Sequence, residues 1–129
     1  MSTINTGESL QRFTEDKWYA YSGVVQGDVS VPSTITLIDI PNSGLRNGFV
    51  KIQLSFGQSL SASGTQQLGT IIRIDGVEVI KHQGREYPRN DNDVFELFVP
   101  KQSRIEVISM NTSSNNTQDR ACTILGWYV

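Results

Sequence analysis

Between residues 49 and 56 apolar and polar side chains alternate without a break: Val50, Ile52, Leu54 and Phe56 fall on one side, Lys51, Gln53 and Ser55 on the other. A period of two is that of a strand with one face buried and one face wet. The segment IIRIDGVEVIK carries the same signal twice, on either side of Asp75-Gly76. That pair suits the positive φ angles of a type I′ hairpin turn. With these two residues as the loop, Ile74 should face Val77 and Ile72 should face Val79 on the buried side, while Arg73 meets Glu78 on the other. A helix would scatter the same residues around its circumference.

Further strands are predicted at 16–25, 32–40, 93–99, 103–110 and 120–129, each bounded by Gly, Pro, Asn or Ser. Pro100 to Gln102 reads as a short turn joining VFELFV to RIEVISM in a second hairpin, with Ile105 and Val107 pointing in and Arg104 and Glu106 pointing out. No stretch of about a dozen residues sustains a 3.6 period. The best candidate for a short helix is Glu8 to Phe13, but the polar start of the chain reads better as an extended arm. The expected fold is therefore all-β: an antiparallel β-sandwich of about eight strands, jelly-roll or a related Greek-key, as one domain over 16–129 behind an arm at 1–15. Three long polar connections, 57–69, 82–92 and 111–119, are expected to be functional or mobile.

Composition agrees with a packed domain. A chain of 129 residues buries roughly two thirds of its unfolded surface, and the 37% of apolar residues are gathered into the strand segments. Eleven basic and thirteen acidic residues give a net charge of -2 with no run of one sign, so a footprint for nucleic acid is missing. Cys122 is the single cysteine; it can form no internal disulfide, and its apolar surroundings make it a small buried hydrophobe. The N-terminal stretch lacks the apolar run of a signal peptide, and no run is long enough to span a membrane, which predicts synthesis in a reducing cytoplasm. The glycosylation sequons at Asn111 and Asn115 then read as loop composition.

Catalytic chemistry finds little to work with. His82 is the only histidine, so any triad would need it as base, and no Gly-x-Ser-x-Gly elbow accompanies it. One His and one Cys cannot supply the four ligands of a zinc site. Glu86, Asp91, Asp93 and Glu96 with Asn90 and Asn92 could offer oxygens to calcium or paired carboxylates for glycoside hydrolysis, but their spacing fails the EF-hand pattern, and Asn and Asp favour turns on their own account. The stretch 64–69 lacks the Lys and Ser/Thr of a phosphate loop. The expectation is a protein without catalytic residues, metal or cofactor.

The aromatic residues say more. Alternation sends Trp18 to one face and Tyr19 with Tyr21 to the other, and Trp127 and Tyr128 divide in the same way. Aromatics on both faces imply contact with another subunit, a partner or a sugar, unless the arm or a loop folds over them.

The polar arm, the strand-turn-strand run ELFVPKQSRIEVISMN, the Ser/Asn loop and the final TILGWYV resemble the β-sandwich decoration (cement) proteins of tailed-bacteriophage heads. The residues that carry the likeness are Phe98, Val99, Pro100, Ile105, Glu106, Val107, Asn111, Gly126, Trp127 and Tyr128; it covers the last third of the chain in detail and the rest in style. The resemblance implies a structural virion protein without catalytic residues. Such a protein is made in the host cytoplasm, binds the major capsid protein as a homo-oligomer, with a trimer preferred, and bridges capsomers on the capsid surface. The interface expected on this reading comprises Thr3, Ile4, Asn5, Leu10 and Phe13 of the arm, Trp18, Tyr19, Tyr21 and Trp127 of the aromatic strands, and Arg85, Tyr87 and Arg89 of a long loop, with residues 3–9 adding a strand to a neighbour's sheet. The alternative is a carbohydrate- or receptor-binding module of a phage tail or fibre.

Overall fold

A computed structural model describes residues 10–13, 16–26, 33–58, 67–86, 92–111 and 118–129. Among them there are ten strands and no helix: β1 (Leu10–Phe13), β2 (Lys17–Tyr21), β3 (Val25–Gln26), β4 (Ser33–Ile40), β5 (Gly48–Gln58), β6 (Gln67–Ile74), β7 (Val77–Glu86), β8 (Asn92–Val99), β9 (Ile105–Asn111) and β10 (Gln118–Tyr128). Setting aside the short β1 and β3, these are the eight strands read from the sequence.

One sheet has the order β1-β2-β10-β5-β8, with β3 also on β10, and the other β4-β9-β6-β7. Every pairing is antiparallel. The pairs β6·β7, β5·β8, β4·β9 and β2·β10 are nested in sequence, innermost to outermost. A long antiparallel ribbon rolled into two layers gives this jelly-roll order. Between the layers lie Ala20, Leu37, Ile38, Ile40, Val50, Ile52, Leu54, Ile72, Ile105, Val107 and Ile124, all buried. These are the inward phases of the alternating segments, and their removal from water is the main force holding the two sheets together.

Three expectations need correction. The turn after Pro100 does not close a hairpin, because β8 pairs with β5 while β9 pairs with β4 and β6; the chain crosses from one sheet to the other there. Backbone N–H groups of the crossing bond to the 41–47 connection: Ser103 N–H donates to the Ser43 side-chain Oγ at 3.0 Å, Gln102 N–H to the Gly44 carbonyl at 2.7 Å and Lys101 N–H to the Asn47 side-chain Oδ1 at 2.9 Å. Ile105 and Val107 point inward as expected. In the β6–β7 hairpin, Asp75 and Gly76 have φ of 52° and 81° as a type I′ turn requires. Ile74 faces Val77, and Arg73 lies 3.5 Å from Glu78. Ile72, however, faces Ile80 rather than Val79. One extra residue in β7 shifts the register beyond Glu78, and Val79 is exposed. Finally, Leu10–Phe13, inside both the expected arm and the short-helix candidate, is an edge strand on β2.

Candidate functional site

The outward positions of the larger sheet align in rows. Lys17, Trp127, Phe49 and Phe98 lie side by side across β2, β10, β5 and β8; Tyr19, Leu125, Lys51 and Glu96 form the next row, and Tyr21, Thr123, Gln53 and Val94 the third. In the first row the Phe98 and Phe49 rings meet edge to face at 5.5 Å, and Phe49 stacks on Trp127 at 6.1 Å. Tyr19 and Tyr21, two positions apart along β2, sit 4.9 Å apart. Phe98 and Val94 are each 49% exposed and Leu125 47%. Tyr19, Tyr21, Lys51, Gln53, Thr123 and Leu125 surround a hollow of about 430 Å³ on this face.

Of the residues expected at an interface, Tyr19, Tyr21 and Trp127 are on this face. Trp18 is not: it is 3% exposed, lying so close over Gly126 that a Cβ there would collide with the indole. The β10 glycine makes room for a core tryptophan, so Trp18 takes no part in the surface. Leu10 and Phe13 occupy β1, opposite Tyr21 and Trp18, and Arg85 lies in β7. Thr3, Ile4, Asn5, Tyr87 and Arg89 lie outside the described residues. The sequence reading missed Phe49, Val94, Phe98 and Leu125. Each is an apolar residue standing in the wet phase of an alternating strand, which is the signal that marks it in the sequence.

A second feature lies between the sheets. His82 of β7 faces Thr70, and Thr70 faces Ser109, across the smaller sheet. From the larger sheet, Asp93 approaches His82, with Oδ2 3.4 Å from Nδ1, and Arg120 Nη1 donates to Ser109 Oγ at 2.9 Å. The His82 ring meets Phe95 at 6.0 Å. The Ser109 hydroxyl is engaged by Arg120 rather than by His82. Cys122 is buried, which pushes its thiol well above the usual range, so it is held as the unreactive thiol. Asp93 faces inward while Glu96 faces outward, so they do not share a cation, and among the described residues no three His, Cys, Asp or Glu side chains converge as metal ligands.

No family profile and no curated protein matches this sequence. Solved structures do match in fold. The chain superposes on the VP2 subviral particle of infectious bursal disease virus with a TM-score of 0.60 at 16% identity, over 87% of this chain and 32% of that one. The T13 particle of the same virus gives a TM-score of 0.61 at 16% identity, over 87% and 31%. Its T=1 particles give 0.56 at 17%, again over 87% and 31%. At such identities the likeness is one of fold. This chain spans about a third of the length of the chains it matches.

Proposed function

We propose that this chain is a structural virion protein, and in particular a capsid decoration protein that docks on the major capsid protein at the outer surface of a phage head and bridges capsomers as a homotrimer. The observation that carries the reading is the ring row Trp127, Phe49 and Phe98, held on the outside of a jelly roll whose core is already complete without it. Aromatic side chains are enriched among the groups that dominate binding energy once an interface covers them. Contacts of modest strength repeated by symmetry reach high avidity. The likeness in fold to chains of viral particles supports the same reading.

Co-sedimentation with heads lacking this protein tests it. A Phe49→Ser/Phe98→Ser double variant that keeps the parent's far-UV spectrum should lose head binding by at least tenfold. Undiminished binding would remove this face from the account. Light scattering should give a particle of about three times the 14.3 kDa chain mass.

The hollow beside Tyr19 and Tyr21 favours a second reading. Two rings beside Lys51, Gln53 and Thr123 combine a stacking surface with hydrogen-bonding groups, which suits a sugar. In a glycan-binding screen Tyr21→Ala would abolish a signal that the Phe49→Ser/Phe98→Ser variant keeps.

A further inference from the structure

Arg120 sits on the inward face of β10, 1% exposed, and reaches across to the other sheet. Of the five N–H groups of a guanidinium, one of those on Nη1 is given to Ser109. Nε and Nη2 are buried with no acceptor, and among the described residues no carboxylate pairs with this arginine. Thr70, paired directly with Ser109 across β6 and β9, is 0% exposed, and its hydroxyl also has no partner. Interior positions linked through Ser109 therefore hold buried polar atoms that the two sheets leave without a hydrogen-bond partner.

The unmatched atoms are not a random pair. Nε–H and an Nη2–H lie parallel along one edge of the guanidinium plane, the edge that receives the two oxygens of a carboxylate in a fork. Nη1, which Ser109 takes, belongs to the other edge. We propose that the Nε/Nη2 edge of Arg120 is a carboxylate-binding site between the two sheets, near the paired positions Thr70 and Ser109. Burial lowers the Arg120 pKa to about 10, still far above neutrality, so the guanidinium stays charged and needs a counter-ion. A planar, two-oxygen anion answers both the charge and the geometry; a halide would answer only the charge.

The carboxylate could come from solution or from a side chain, and one experiment separates the two. The intact protein is titrated with sodium acetate against sodium chloride at constant ionic strength, following Tm and the Nε–H resonance of Arg120 in ¹⁵N-labelled protein. A free-carboxylate site shows a saturable rise in Tm of roughly 5 °C with a downfield shift of that resonance. Both are absent from Arg120→Met. A side chain already in place shows no response to acetate, an Nε–H resonance downfield and slow to exchange from the outset, and a loss of Tm in Arg120→Lys, whose ammonium cannot form the fork. Should Arg120→Met fail to fold, the titration of the parent and Arg120→Lys still decide. The proposal is overturned by an Nε–H resonance at the ordinary position in saturating acetate, or by an Arg120→Lys protein that unfolds at the parent's temperature.

Discussion

The two sheets share one core but present opposite outer faces. On the smaller sheet one outward row is charged, with Asp39, Glu106, Arg73 and Glu78 side by side. Arg104 forks Asp39 through Nε at 3.0 Å and Nη2 at 2.8 Å and approaches Glu106 at 3.6 Å, while Arg73 pairs with Glu78. Its outward isoleucines, Ile71 and Ile108, lie opposite one another and are covered, each 6% exposed. On the larger sheet one outward row carries the rings of Trp127, Phe49 and Phe98, the two phenylalanines exposed. Folding does not require the second arrangement, since ordinary alternation places polar residues outside. Rings in that position leave apolar surface in water, which the charged row of the smaller sheet does not.

Trp18 and Trp127 set one residue type on the inner and outer faces of the larger sheet. Trp18→Ala should cost about 3–5 kcal/mol, as for a large aromatic lost from a core, whereas Trp127→Ala should cost about 1 kcal/mol in urea unfolding, mostly from its contact with Phe49. Similar losses at both positions would mean that the larger sheet has no free outer face. Gly126→Ala comes next: its Cβ must displace the Trp18 ring, with an expected loss of about 1–3 kcal/mol and a change in tryptophan fluorescence. On binding, the Phe49→Ser/Phe98→Ser loss should have no counterpart in an Arg73→Ser/Glu78→Ser variant of the opposite face, and equal losses would erase the distinction. The smallest effect concerns acid. The hydrogen bonds from Arg104, more than its charge alone, hold the Asp39 carboxyl below its ordinary 3.8. A depressed acid stabilises the fold above its unfolded pKa and loses that contribution as pH falls through the folded value. The parent should therefore show a decline in stability below about pH 4 that Asp39→Asn lacks, seen as converging Tm values in acid.

Much of this was legible along the chain. The alternation in 49–56 placed Val50, Ile52 and Leu54 in the core, and Asp75-Gly76 set its turn type and the Arg73–Glu78 pair. Cys122 was readable as buried from its apolar neighbours. The face was only half legible: Tyr19 and Tyr21 were placed on one side of β2, but Trp18 was grouped with them although its phase sends it inward beneath Gly126. Phe49 and Phe98 each stand apolar in a wet phase of their own strand, but that they lie side by side follows only from the pairing of β5 with β8.

What the sequence determines by itself is local: the strand segments, their phases and the turns whose φ angles few residues can adopt, because a two-residue period and a steric preference act between near neighbours. Tertiary structure decided the rest. Pro100 to Gln102 crosses between sheets because β5 and β4, far back in the chain, claim β8 and β9 as partners. Trp127, Phe49 and Phe98 form one row, and Arg120 meets Ser109 between the layers, only through registers between strands distant in sequence. Those registers follow from burying every inward phase at once, a condition that no single segment contains.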